Sequence, residues 1–339
     1  MSFSVGIVGL PNVGKSTLFK VLTKREVKIS PRPFTTIEPN FGQVSVPDER
    51  LEKIAKIVKP QKITPTRIEF VDIAGLVKGA HKGEGLGNQF LSHIRNCDEI
   101  LFVLRAFENP EAENVLGEVN PEKEIEILKT ELLMKDLETI ERAIEKSEKK
   151  KEKRKVEILK KLKERVSEGR LISEIDFEER EVEEIKEYQF LTQKPYFCVV
   201  NVNGKTKFEK IKVPNLEMNL KDEEEMLELS EEDKKELGFE SKVEKLIENC
   251  YKTLNLITFY TIAGGKEARA WTIKENSFAP EAGGVIHSDF KEKFIRAEVI
   301  NFKDFVKAGS WQKAKEMGIL KIVGRDYKVK DGDIIEFKI

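Results

Sequence analysis

The chain is poor in the residues that build covalent or metal frameworks. Among 339 residues there are three cysteines, Cys97, Cys198 and Cys250, and three histidines. The cysteines are odd in number and far apart, so the sequence encodes neither a disulfide scaffold nor a metal knuckle. They read as buried small hydrophobes in a reducing compartment. No stretch approaches the ~20 apolar residues of a membrane span. The N-terminus enters an apolar segment at once, without room for a secretory signal. Net charge is lacking too: 60 Lys and Arg against 61 Asp and Glu leave −1. That excludes a globally electrostatic nucleic-acid binder while leaving local patches open. The expectation is a cytoplasmic protein, long enough for two or three domains.

What the chain has is charge of both signs, 36% of residues, against about a quarter in ordinary domains. It also has one stretch around which the rest is organised: Gly9-Leu10-Pro11-Asn12-Val13-Gly14-Lys15-Ser16-Thr17. This is G-x-x-x-x-G-K-[ST], the phosphate-binding loop, in the context the motif needs. Phe3–Val8 is an apolar strand before it, and Leu18, Phe19, Val21 and Leu22 mark a helix after it. The N–H groups at a helix start lack intrahelical partners and suit phosphate oxygens. Lys15 would reach the outer phosphates, and the Ser16 hydroxyl would hold Mg2+.

Two more elements fit a P-loop protein. Pro33-Phe34-Thr35-Thr36-Ile37-Glu38-Pro39 reads as an extended switch segment, where a threonine hydroxyl can complete a Mg2+ shell. Thr66–Val71 reads as a strand ending in Asp72-Ile73-Ala74-Gly75. Asp72 would bind Mg2+ through water, and the Gly75 N–H would sense the terminal phosphate. Leu76 follows, where a water-orienting glutamine stands in many GTPases. A helix over Leu51–Val58 should link the strands Phe41–Val46 and Thr66–Val71. His81, in a glycine-rich loop, could approach the phosphates or simply be solvated.

The base-recognition segment departs from the guanine pattern. Pro195–Val200 reads as a strand ending in Asn201-Val202-Asn203-Gly204, where GTPases carry N-K-x-D. Gly204 has no side-chain acceptor for the guanine donors, so the site leans towards ATP, with Asn201 or nearby backbone meeting adenine. Asn219-Leu220-Lys221-Asp222 is a competing candidate that no clear apolar strand precedes, or else a final base-supporting loop.

Between the strand Glu99–Phe107 and this segment lies a helical insertion. Ile125, Leu128, Leu132, Leu133, Leu137, Ile140 and Ile144, then Val156, Leu159, Leu162 and Val166, recur at three- and four-residue steps. They read as two long antiparallel helices, a coiled-coil-like hairpin turning near Lys149–Lys155. Residues 145–165 carry eleven Lys or Arg and five Glu, which fits either an RNA contact or a solvated helix end. From Ile257 onward, short strands and turns form a small α+β module, in which His287 and Trp271 read as structural.

The combined motifs resemble the YchF subfamily of Obg-related P-loop NTPases, the Obg-like ATPases. The resemblance rests on Gly6–Thr17, Phe34–Asn40, Asp72–Ala80, Gly83–Leu91 and Lys266–Thr272, and covers the whole chain. It implies an α/β fold: a P-loop domain (1–120 and 192–254), an inserted α-helical coiled-coil hairpin (121–191) and a C-terminal α+β TGS domain, a ubiquitin-like β-grasp (255–339). It implies ATP preference, slow hydrolysis and association with ribosomes and rRNA, with neither membrane nor DNA as partner. By resemblance, Asn12, Val13, Gly14, Lys15, Ser16 and Thr17 bind phosphates, and Ser16 and Thr36 hold Mg2+. Asn201 faces the adenine edge, Val202 meets adenine through its backbone and Asn203 completes the segment. Asn12 is a candidate K+ ligand. Lys15 and Gly75 are the expected catalytic groups. The family usually has Glu where Gly204 stands. Some relatives carry a histidine where Phe102 stands, so no general base is named. Two alternatives remain: a GTPase of the same fold, or a nucleotide-gated RNA-binding adaptor with negligible hydrolysis.

Overall fold

The computed structural model describes residues 3–24, 40–73 and 86–339. In chain order the first elements are β1 (Phe3–Val8), α1 (Lys15–Lys24), β2 (Asn40–Ser45), α2 (Glu49–Val58), β3 (Lys62–Thr64), β4 (Arg67–Asp72), α3 (Leu86–Arg95) and β5 (Glu99–Ala106). Next come α4 (Pro121–Lys149), α5 (Lys153–Ser167), α6 (Glu179–Ile185), β6 (Tyr196–Val202), β7 (Asn215–Met218), α7 (Leu220–Glu225), α8 (Glu231–Glu236) and α9 (Val243–Thr253). The chain closes with β8 (Leu256–Thr261), β9 (Glu267–Lys274), α10 (Ala279–Ile286), α11 (Ser288–Glu292), β10 (Arg296–Asn301), α12 (Phe302–Ala308), α13 (Trp311–Glu316), β11 (Lys321–Val323) and β12 (Asp333–Lys338). Residues 3–44 and 69–243 form one compact unit; residues 45–68 and 244–339 form another.

The first unit is built on a sheet of order β2-β4-β1-β5-β6-β7, in which β1–β5, β5–β6 and β6–β7 run parallel. Strands covered on both faces should be apolar throughout rather than alternating. The eight residues of β5 are all buried, as are five of the six in β1. Parallel strands deliver their carboxyl ends to one edge of the sheet, and the ligand loops of such sheets gather there.

The insertion folds as a helix pair. Asn120 caps α4 by accepting from the Lys123 N–H at 3.0 Å, and Pro121 opens the helix where its missing N–H is harmless. Leu133, Ile140, Ala143, Ile158, Leu159, Leu162 and Val166 form the seam between α4 and α5. The chain reverses at residues 150–152, where Lys151 has φ +61°. Buried Asp136 fastens the return strand's approach: its carboxylate accepts from the N–H groups of Leu191 (2.9 Å) and Thr192 (2.8 Å) and from the Thr192 hydroxyl (2.7 Å).

The second unit is a mixed sheet of order β11-β10-β12-β8-β9-β3. β8 and β9 form an antiparallel hairpin, while β12 runs parallel to β8. Side chains alternate between its faces, as strand geometry requires. Ile257, Phe259, Val299, Ile335 and Phe337 pack with Ala279 and Ala282 of α10. Tyr260, Ile300 and Ile334 pack on the other face with Leu51 and Ile54 of α2 and Phe305 of α12. Here the expected boundary moves. Residues 45–68 read as part of the nucleotide domain, but β3 pairs with β9 (Lys62↔Glu267 to Thr64↔Arg269) and α2 covers the second sheet. Helix α9, expected in the nucleotide domain, also groups with the C-terminal residues. The stretch Phe290–Glu298 divides between the end of α11 and the start of β10.

Two polar groups in the first unit carry testable costs. Removing the Asp136 carboxylate strands two buried N–H groups, so Asp136→Ala should destabilise by about 3 kcal/mol in urea unfolding. Glu99, at the start of β5, is fully buried, and neither of its carboxylate oxygens has a hydrogen-bond partner among the described residues. Burial pushes its pKa up to about 9. The folded state therefore holds a proton that the unfolded chain releases near pH 4.5, so stability falls as pH rises from there. Glu99→Leu should relieve about 3 kcal/mol at pH 7 but under about 1 kcal/mol at pH 5, measured as the difference in unfolding free energy.

Candidate nucleotide-binding site

The loop after β1 lies against β5. A Cβ at Gly9 would stand 2.5 Å from the Val103 carbonyl oxygen, so only glycine lets the backbones approach. The loop then takes left-handed torsions at Asn12 (φ +62°) and Gly14 (φ +107°) before α1 begins. At Gly14 a Cβ would meet the Asn201 amide nitrogen at 2.6 Å. The turn aims the first N–H groups of α1 into the loop, the arrangement that receives anions.

The lysine is poised rather than extended. Lys15 is buried, and its ammonium donates to the Leu10 carbonyl at 2.7 Å. Burial lowers its pKa, opposed by the carboxylates of Asp72 and Glu124. Asp72, half-buried at the end of β4, has its pKa raised by burial, which Lys15 and a bond to Asn40 oppose. Ser16 is exposed at the start of α1. Hydroxyl and carboxylate oxygens are the donors a hard cation prefers. Among the described residues no group of three or more His, Cys, Asp or Glu could hold a metal ion. A cation held by Ser16 and Asp72 would also draw ligands from phosphate and water. Thr36, Gly75, Leu76 and His81 lie outside the described residues.

Above the loop opens a cavity of about 900 Å3. Asn12, Gly14, Thr17, Asn201, Val202 and Asn203 line it, six of the nine residues the sequence assigns to nucleotide binding. Val13 is buried beneath the loop and contributes its carbonyl, which accepts from the Asn201 amide at 3.0 Å. The Asn201 amide oxygen accepts from the Leu220 N–H at 3.2 Å. Asn201 is thus first a strut between loops, and one amide hydrogen remains for a base. Asn203 shapes its own loop: its amide oxygen accepts from the N–H groups of Lys205 and Thr206, both at 3.0 Å. The Asn219–Asp222 segment needs correction, because a strand does precede it. β7 is short, but it pairs with β6 through Cys198↔Asn215 to Asn201↔Met218. Asn219 to Asp222 line the cavity beside Asn201. The Asp222 carboxylate accepts from the Asn219 amide at 2.6 Å.

One wall was missed from the sequence. Residues 107–112, which follow β5, line the cavity. The available signal was Arg105, a charge ending the apolar run Ile100–Leu104 and 2% exposed in the fold.

Sheet order, loop and helix define a P-loop nucleotide-binding protein of the GTPase type. A family model described as 50S ribosome-binding GTPase matches residues 4–161. The C-terminal model of YchF GTPases, described as a protein of unknown function (DUF933), matches residues 256–339. The chain is 45% identical to the Ribosome-binding ATPase YchF of Escherichia coli O157:H7, over 99% of both chains. It is 44% identical to the protein of the same name from Bacillus subtilis, over 100% of this chain and 99% of that one. A solved structure of the Schizosaccharomyces pombe YchF GTPase superposes with a TM-score of 0.85 at 34% identity, over 99% of this chain and 98% of that one. The chain belongs to the YchF family.

Gly14 is where loop torsion and the Asn201 strut meet. Gly14→Ala should destabilise the first unit by about 2 kcal/mol. Nucleotide affinity should fall at least about 100-fold; calorimetric titration and a thermal melt would check both.

Proposed function

We propose that this chain is a slowly hydrolysing ATPase that associates with the ribosome. The observation that carries the reading is the cavity above the phosphate loop. The strand end there presents Val202 to the cavity, and Gly204 follows two positions on; neither has a side-chain acceptor for guanine's donors. Adenine's N6 donor and ring acceptors can instead be met by backbone at Val202 and by the remaining Asn201 amide hydrogen. Relatives that match over nearly their whole length are named ribosome-binding ATPases.

In this reading the N–H groups of residues 12–17 cradle the phosphates. Lys15 leaves the Leu10 carbonyl for the outer phosphates, and the Gly75 N–H meets the terminal one. Ser16, Asp72 and Thr36 would hold Mg2+, which neutralises charge between the outer phosphates when bound. The Asn12 amide nitrogen donates to the Glu113 carbonyl at 3.2 Å, which leaves its oxygen for K+. Catalysis then comes from electrostatic clamping, and Leu76 accounts for slow turnover.

The α4–α5 pair would be the coiled-coil hairpin of the family, and the second unit its TGS-type β-grasp. Lys149, Lys150, Lys151 and Lys153 stand exposed at the hairpin turn and could contact rRNA phosphates. Among the described residues no helix is long and apolar enough to cross a membrane. A GTP-preferring site is the second reading. Asp222 on the cavity wall favours it, and the Schizosaccharomyces pombe relative is described as a GTPase.

Calorimetric titration of ATP and GTP with Mg2+ tests the base. ATP should bind at least about tenfold tighter. Lys15→Ala should weaken ATP binding about 100-fold or more. A GTP preference would overturn the adenine reading and make Asp222→Asn the next variant.

A further inference from the structure

We propose that Arg105 is the positioning residue that shapes the base pocket, by clamping the loop that forms its outer wall. The inference rests on the nucleotide-site reading above. It goes further in assigning a role to a residue that no motif marks.

Arg105 stands directly beside Asn201 in the β5–β6 register, at the carboxyl ends of both strands. Its backbone N–H is fixed by the Glu124 carboxylate at 2.8 Å, from the first turn of α4. Its guanidinium turns onto the segment that follows. Nε donates to the Phe107 carbonyl at 3.1 Å and Nη1 to the Glu113 carbonyl at 3.2 Å. Nη2 donates to the carbonyls of Asn109 (3.4 Å) and Ala112 (3.0 Å). The guanidinium carbon also lies 4.6 Å from the centre of the Phe107 ring. One buried cation therefore gathers four carbonyl oxygens of a segment that is neither helix nor strand.

That geometry is specific to arginine. A loop without ladder hydrogen bonds is ordinarily free to vary. A planar fork with five donors can hold several carbonyls at once, whereas a lysine ammonium is a single point with three. The loop is also tied to its neighbours. The Glu113 carbonyl that Arg105 holds also accepts from Asn12 of the phosphate loop. The Glu108 N–H donates to the Thr206 hydroxyl at 3.2 Å, beside the Asn201–Gly204 segment. The clamp thus fixes the distance between the loop and the segment that meets the base, and the width available to a purine follows from it.

The test measures ATP, GTP and inorganic tripolyphosphate binding by calorimetry, for wild type and Arg105→Lys. The ligands separate base from phosphate contacts. Arg105→Lys should weaken the preferred nucleotide about tenfold and narrow the ATP-to-GTP ratio, with tripolyphosphate binding changed less than about twofold. Equal loss for all three ligands would mean a general defect and would overturn the proposal, as would no change in any. Thr206→Val releases the loop's tie to the Asn201–Gly204 side and should move the same readouts in the same direction by a few-fold; it decides the matter if Arg105→Lys fails to fold. A wild-type preference for GTP would sink the adenine reading alone, since the clamp is scored against whichever purine binds.

Discussion

A single carboxamide holds the candidate site together. Asn201 gives a hydrogen to the carbonyl of Val13 and takes one from the N–H of Leu220, so the loop after β1, the end of β6 and the segment after β7 share one buried side chain. β1 and β6 are not neighbours in the sheet, because β5 lies between them. The link must therefore pass over the end of β5, through the space that Gly14 leaves by having no Cβ. Hydrogen bonds in such a sheltered place are electrostatically stronger than in water, and leaving one unmade costs correspondingly more. The amide, the glycine and the strand order are one arrangement seen at three scales.

What could be read from the sequence is what depends on neighbours along the chain. The phosphate loop announces itself through residue types at fixed spacing. β5 announces itself through Ile100–Leu104, and the helix pair through repeats of three and four. What escaped depends on partners far away. The helix over Leu51–Val58 is legible, but a local pattern names no partner, and Leu51 and Ile54 pack with Tyr260 and Ile300 of the C-terminal sheet, within one compact unit. β7 offers only Leu216 and Met218 as buried positions among four residues, too few to count as an alternation. Asn201 was expected to face a base; its double engagement with backbone became visible only when residues 13 and 220 stood beside it. Thr36 and Gly75 lie outside the described residues, so their expected roles rest on the motifs alone.

The hairpin shows how composition overstates charge. Residues 145–165 count as strongly basic, yet Lys160 pairs with Glu148 and Lys163 with Glu141, each at 2.8 Å, and Lys155 with Glu187. Such exposed pairs add little stability, but they cancel field. Among these described residues, the exposed lysines outside such pairs are Lys146, Lys149, Lys150, Lys151, Lys153 and Lys161, four of them at the turn, a smaller patch than the sequence count implies.

The strand β3 has a consequence in time as well as in space. Thr64 bonds the carboxylate of Glu267, 203 positions later in the chain. A ribosome making this protein releases α2 and β3 long before β8 and β9 exist, and chains grow at roughly 5–20 residues per second. For many seconds the apolar side of α2, with Leu51 and Ile54, has been made while the sheet it belongs to has not. The second sheet joins β3 to strands made some two hundred residues later, so it cannot close until β12 has been synthesised, and no fragment cut at residue 244 contains the whole of it.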